Sequence, residues 1–270
     1  MNFIFATLTA IFDLLFAPFR NASPWWPLLL FSLLFAVAML LAFRFASNQP
    51  AIRRAKQRIG AHLLEVRLFQ DQLGVVLRAY GRLLAATGIY LLHSLKPLAV
   101  ILIPMVLLIA QMELRLGREA AQPNAPVVLK AFFAPDVALE SVELSVPAGV
   151  QITAPALRIP ESNEVNWRIE AKGTDVSELR VSGGGVTEPK HLTAQRGLAT
   201  VSPLRSASAL DLWLYPGEPQ LAAGAIRKIE VGYASRNLSL FGWQTHWLIP
   251  FFLFSIVFGY ALKGVMGAEF

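Results

Sequence analysis

From Ala51 to Leu95 the chain reads AIRRAKQRIGAHLLEVRLFQDQLGVVLRAYGRLLAATGIYLLHSL, between two strongly apolar segments. Ile52, Ile59, Val66, Leu73 and Tyr80 recur every seven residues, and Ala55, Phe69, Val76 and Leu83 fill the offset position. His62 is the polar residue on that seam. An apolar rhythm of about 3.5 residues, with charges elsewhere, is the pattern of packed helices. Arg53, Arg54, Lys56, Arg58, Arg67, Arg78 and Arg82 decorate it, against Glu65 and Asp71. One unbroken helix here would run roughly 65–70 Å at ~1.5 Å per residue. Its far end could not re-enter a bilayer from the side it left, so the chain has to fold back. Gln70–Gly74 is the place: Asp71 can cap a second helix and Gly74 loosens the turn. A merely solvated charged face is the alternative. The matched arms and apolar flanks favour a basic helical hairpin over residues 48–95.

Composition agrees with membrane flanks. The 270 residues are 55% hydrophobic and 16% charged, with a mean hydropathy of +0.50, as expected of an integral membrane protein with some soluble mass. The net charge of +6 is concentrated in the hairpin, which makes it a topology signal. No RNA-binding aromatic pattern interleaves the basic residues, so specific nucleic-acid recognition is not expected. Cysteine is absent, which excludes disulfides, thiolate metal sites and cysteine nucleophiles. Richness in Ala, Leu and Arg suggests a bacterial cytoplasmic (inner) membrane.

Working outward, residues 1–20 are apolar and aromatic, without a basic start and with Asp13 inside the run, which argues against a cleaved signal peptide. Asn2, Thr9 and Asp13 share one helical face. The expectation is an amphipathic helix lying in the interface, with a short buried helix as the alternative. Residues 25–44 form a first span, with Trp25 and Trp26 at one interface and Arg44 at the other. Residues 96–116 form a second, which Pro97 and Pro104 should kink. Residues 241–263 form the third, entered through a belt of Trp243, His246 and Trp247.

Between the second and third spans, residues 125–234 carry short alternating runs separated by Pro, Gly and Asn. Val142, Leu144 and Val146 alternate with polar residues, as do Val165, Trp167, Ile169 and Ala171. Leu179 and Val181 flank Arg180, Leu212 and Leu214 flank Trp213, and 226–233 adds one more run. This predicts an antiparallel, immunoglobulin-like β-sandwich with Trp167, Ile169, Leu144 and Val181 in its core. Gly183–Gly185 reads as a turn, since no Lys-Ser/Thr and no helix follow it. The short basic connection belongs in the cytoplasm. The N-terminus and β-domain are then outside and the C-terminus inside.

This order of elements resembles the YidC/Oxa/Alb insertase superfamily. It is most similar to the three-span members, namely the archaeal YidC-like proteins and the insertase subunit of the ER membrane protein complex. The matching stretches are Phe12–Pro18, Leu95–Pro104 and Leu240–Lys263, and the resemblance covers about 60% of the chain. It departs in two ways: the β-domain is an addition, and methionine-rich cytosolic loops are missing. The resemblance implies membrane-protein insertion through a hydrated groove, with no cofactor. It also implies as partners the lipid bilayer, nascent or client membrane proteins, and a ribosome or other membrane subunits.

The four histidines, His62, His93, His191 and His246, are scattered, and no HExxH, GxSxG or Walker pattern occurs, so no enzyme, metal site or catalytic residue is expected. Candidates for the groove are Arg44, His93, Ser94, Lys96, Ser255 and Lys263. In the alternative, Arg44, Lys96 and Lys263 snorkel at span ends, and Ser32 and Ser255 bond backbone within their own helices. The competing functional class is a non-catalytic scaffold. A wet concave face would favour the insertase and dry packing of the spans the scaffold.

Overall fold

The structure, a computed structural model, describes residues 2–46, 49–240 and 242–266. It begins with α1 (Asn2–Phe16), α2 (Trp25–Ala46), α3 (Gln49–Leu68) and α4 (Leu73–Met112). A π-helical turn, Glu113–Gly117, ends α4. There follow β1 (Pro126–Phe133), β2 (Glu143–Ser145), β3 (Val150–Ile152), β4 (Leu157–Ile159), β5 (Glu164–Ala171), β6 (Val176–Gly183), β7 (Val186–Thr193) and β8 (Leu204–Ser206). After α5 (Ala209–Leu214) come β9 (Ile226–Val231), β10 (Asn237–Leu240), β11 (Trp243–His246) and α6 (Leu248–Met266).

Among the described residues, three helical stretches are long and apolar enough to cross a membrane: Trp25–Ala42, Leu73–Leu92 and Ala99–Gly117. The last two lie largely on one helix. α4 runs for 40 residues, about 60 Å at ~1.5 Å per residue, and is helical through Pro97 and Pro104 with no break at Leu95. Leu248–Gly264 is a shorter apolar helix. Before it, Asn237–Leu240 and Trp243–His246 pair as β10 and β11, where the third span was expected to start.

The chain divides into two compact units. One holds residues 29–105 and 251–270, including α3 and most of α4. The turn joining those helices is Phe69–Gln72, where folding back was expected. On α3, Ala55, Ile59, His62 and Val66 of the expected seam are buried or half-buried, as are Gly60 and Glu65. On α4 the offset positions Val76 and Leu83 are half-buried as expected, with Ala79 and Ala86 buried, whereas Leu73 and Tyr80 of the other seam position are exposed. The non-helical residues of the turn reset the rotation of the second helix, so one of the two seam positions carries across it and the other does not.

The other unit holds residues 1–28 and 106–250. Its strands form a six-stranded antiparallel sheet, ordered β3-β5-β1-β9-β8 with β4 also on β5, a three-stranded sheet, β2-β6-β7, and the β10–β11 pair. β1 is central, with Leu129 opposite Trp167 on β5 and opposite Val231 on β9. β5 alternates as its sequence demands: Val165, Trp167, Ile169 and Ala171 are buried and Arg168 is exposed. Residues from both larger sheets, among them Leu129, Trp167, Ile169, Leu179, Val181 and Leu192, share one hydrophobic core, with Leu144 packed at its edge. The β6–β7 turn uses Gly184 and Gly185 at φ of +58° and +77°, the conformation that two-residue hairpin turns favour.

Two expectations fail in this unit. The alternation around Trp213 is not a strand but the short helix α5, whose first residues follow Ser208. The unit also extends beyond residues 125–234, because α1 and the ends of α2, α4 and α6 belong to it.

Trp167 is 3% exposed at the centre of the shared core. Trp167→Ala is expected to cost about 3–5 kcal/mol, measured by chemical denaturation of the detergent-solubilised chain and followed by β-sheet circular dichroism.

Candidate functional site

In the helical unit the expected polar groove does not assemble from the described residues. Ser255 is buried and its Oγ donates to the Phe251 carbonyl at 2.7 Å, one turn back on the same helix. Ser32 is also buried, but it bonds across helices rather than within its own: its Oγ donates to Phe251 O at 3.2 Å. Ser255 lines an open concavity of about 400 Å³ formed by α2, α4 and α6, whose wall is chiefly Phe35, Met39, Leu40, Met105, Phe252 and Ile256. Phe35 meets the rings of Phe251 and Phe252 at 5.4 and 6.5 Å. Polar atoms there are already spoken for, so the surface is apolar.

Arg44 and Lys263 are exposed at helix ends and do not line this concavity. Arg44 Nη1 donates to Met266 O at 3.4 Å, and Lys263 Nζ lies 4.7 Å from the centre of the Tyr260 ring. The side chains of His93, Ser94 and Lys96 lie outside the described residues. In the hairpin, Arg53, Arg54, Lys56, Arg58, Arg67, Arg78 and Arg82 are all exposed. Arg78 Nε donates to Gly74 O at 3.0 Å, Arg82 reaches Glu65 at 3.4 Å, and Lys56 lies 5.9 Å from the centre of the Tyr90 ring. Glu65 also pairs with His62 at 3.0 Å, which satisfies the polar seam residue.

The strongest polar constellation lies in the β-containing unit, around Arg115 in the π turn that ends α4. Arg115 is 1% exposed. Its Nη1 donates to the carbonyl of Gln111 at 2.7 Å and to that side chain's Oε1 at 2.9 Å. Its Nη2 donates to Thr9 O at 3.0 Å and Asp13 Oδ1 at 2.5 Å. The guanidinium also faces the rings of Phe12 and Phe16, at 5.8 and 5.4 Å. Asp13 accepts a further bond from Thr200 Oγ1 at 2.5 Å. Gln111 Nε2 donates to Thr9 Oγ1 at 2.9 Å.

On the polar face of α1, Thr9 and Asp13 both bond to other parts of this unit, Asp13 while partly exposed. Two residues before Arg115, Glu113 accepts Trp247 Nε1–H at 2.7 Å, with His246 Nε2 at 3.5 Å. Trp247 is fully buried, so it is an internal anchor and not part of an interfacial belt, whereas Trp243 is 82% exposed. Sequence reasoning marked Asp13 as anomalous but found no partner for it. The available signal was Gln111 and Arg115, four residues apart at the end of an apolar helix, where an unpaired charge is costly.

A second buried pair joins β7 to the loop before β9. Lys190 Nζ donates to Glu218 Oε1 and to Ser202 O at 2.7 Å, and Glu218 Oε2 accepts the His191 N–H at 3.1 Å. Burial lowers the Lys190 pKa, opposed by the Glu218 carboxylate. Every group here is taken by a structural bond. Among the described residues no three His, Cys, Asp or Glu side chains gather to hold a metal. No family model matches the sequence, no curated protein matches it, and no solved structure matches its fold.

Because Asp13 is 41% exposed and Arg115 is not, the two halves of their pair should respond unequally. Asp13→Ala leaves a buried guanidinium without its counter-charge and should destabilise by about 3–5 kcal/mol. Arg115→Met leaves a carboxylate that water can reach and should cost clearly less. Thermal unfolding of the two variants beside wild type checks the order.

Burial raises the Tyr233 hydroxyl to about 12 from its ordinary 10, while the Thr193 N–H donates to its oxygen at 2.9 Å. The folded pKa lies above the unfolded one, so this stabilisation is intact below pH 10 and lost as pH rises towards 12. The difference corresponds to roughly 2–3 kcal/mol. Tyr233→Phe should abolish that alkaline step in stability-against-pH measurements. It should also cost about 1–3 kcal/mol at neutral pH, because the Thr193 N–H loses its acceptor.

Proposed function

We propose that this chain is a non-catalytic membrane scaffold. The six- and three-stranded sheets form an extracytoplasmic β-sandwich, the basic hairpin lies in the cytoplasm, and each is offered to partner proteins. A bacterial inner membrane with the N-terminus out and the C-terminus in accords with the positive charge of the hairpin. The observation that carries the scaffold reading is the concavity among α2, α4 and α6. Its one serine, Ser255, is buried and bonded to backbone, and its wall is chiefly aliphatic and aromatic. A groove meant to carry polar segments needs water or unsatisfied polar groups along its wall. A second support is that the ends of three apolar helices belong to the same compact unit as the strands, as suits a displayed domain.

The insertase reading stays as the second one. It is favoured by the order of elements and by the openness of this apolar concavity, whose Met39 and Met105 could adapt to an apolar segment.

Reconstitution in liposomes with single-span clients decides between them. For the scaffold, the protease-protected fraction of client should equal that in empty liposomes. A reproducible excess over empty liposomes, reduced by Arg44→Ala with Lys96→Ala, would establish the insertase instead. Topology is read separately: cysteine at Ala61 should be shielded from an impermeant outside reagent and cysteine at Gly173 labelled. Gly173 is exposed, with open space at its Cβ, whereas a side chain at Gly184 would meet Ala225 at 2.5 Å.

A further inference from the structure

An open cavity of about 830 Å³ in the β-containing unit serves neither the Arg115 junction nor the apolar concavity. Its walls come from residues 22–25, 119–123, 194–198 and 236–239. Arg196 and Arg236 contribute guanidinium groups, Glu119 one carboxylate, and Trp25 and Leu238 apolar surface.

Arg196 is exposed and forms no hydrogen bond or ion pair among the described residues. Arg236 is half-buried, and its guanidinium makes only long contacts, 3.4 Å each, to the carbonyls of Arg115 and Gly197. Burial lowers its pKa, partly offset by Glu119, so an added anion would improve its surroundings. The loop bearing Arg196 is pinned in place. The Leu198 N–H donates to Arg20 O at 2.9 Å, and Gly197 has φ +84° with that same carbonyl 2.2 Å from where a Cβ would stand.

Trp25 is the first residue of α2, a helix of membrane length, so one wall of the cavity stands where that helix would enter the headgroup layer. Trp26, on the first turn of α2, is 64% exposed, as suits an interface. Two arginines lining a cavity beside a tryptophan at the start of a membrane-length helix match a phosphate ester carrying an apolar tail. The Glu119 carboxylate on the same wall supplies an acceptor for a headgroup hydroxyl or ammonium.

We propose that this cavity binds the phosphodiester headgroup of a membrane lipid, with Arg196 and Arg236 on the phosphate and Trp25 beside the glycerol backbone. The proposal rests on α2 entering the membrane at Trp25, but not on which partner or client the protein serves. Free phosphate offers the same oxygen chemistry, so the test separates the two sources.

The full chain in a phosphate-free nonionic detergent is titrated with dihexanoyl phosphatidylglycerol, dihexanoylglycerol and inorganic phosphate, with binding read by native mass spectrometry. Saturable uptake of one phospholipid is expected, with no uptake of dihexanoylglycerol and none of phosphate over the same range. Arg196→Gln should weaken uptake by about tenfold, the loss of one charge-assisted contact, and Arg196→Lys should restore part of it. Because Arg196 is exposed and has no hydrogen-bond or ion-pair partner among the described residues, its variants report binding and not folding. Equal uptake by Arg196→Gln, or equal uptake of dihexanoylglycerol, would overturn the proposal. Phosphate bound as tightly as the lipid would overturn the lipid assignment in favour of a free anion. Each of these readouts is independent of client insertion and of cysteine labelling.

Discussion

Arg115 carries a full positive charge at the end of a long apolar helix, almost entirely out of contact with solvent. A guanidinium in that position is tolerable only if its donors find acceptors and its charge finds a counter-charge. Four acceptors meet it: two on Gln111, one turn back, and two on α1, from the Thr9 carbonyl and Asp13. α1 is thereby committed to this unit, with its polar side turned inward. Thr200, on the loop after β7, reaches the same carboxylate and brings the strand region to the junction. The π turn gives Glu113 a separate task, because it holds the indole of Trp247 immediately before α6. One five-residue turn thus ties the end of α4 to the first helix and to the approach to the last.

That arrangement bears on function through where polarity has gone. An insertase would need polar groups on the inner halves of the spans. Here the buried serines of the helical unit spend their hydroxyls on the Phe251 carbonyl. The densest polar networks, around Arg115 and around Lys190, instead belong to the unit that contains the strands. Most of their polar atoms are bonded within the protein, with Arg115 Nε the buried exception. They specify which segments meet.

The hairpin and the cavity beside Trp25 are different in kind. Their basic residues are largely exposed, and the guanidinium of Arg236 makes long contacts. Exposed charge close to membrane-length helices is suited to meeting something outside the chain, and the two regions differ in what they add to it. The hairpin adds exposed leucines and the exposed Tyr80, while the cavity adds Trp25 and a concave wall.

Much of the fold was legible from local pattern. Period-two alternation placed Val165, Trp167, Ile169 and Ala171 on the buried side of β5, because a strand sends successive side chains to opposite faces whatever it packs against. The fold-back near Asp71 followed from helix length, and the length and apolarity of α2 from composition. Alternation failed at Leu212–Leu214, where three residues cannot distinguish a strand from one turn of helix. Across the hairpin turn the heptad held only in part: Val76 and Leu83 are half-buried, while Leu73 and Tyr80 are exposed. What only the tertiary structure decided was the set of partners: Asp13 with Arg115, 102 residues apart, Trp247 with Glu113, 134 apart, and Lys190 with Glu218, 28 apart. Periodicity is a property of neighbouring residues and can be read in a line. The partner that a buried charge requires is chosen by which distant segments the packed core brings within hydrogen-bonding distance.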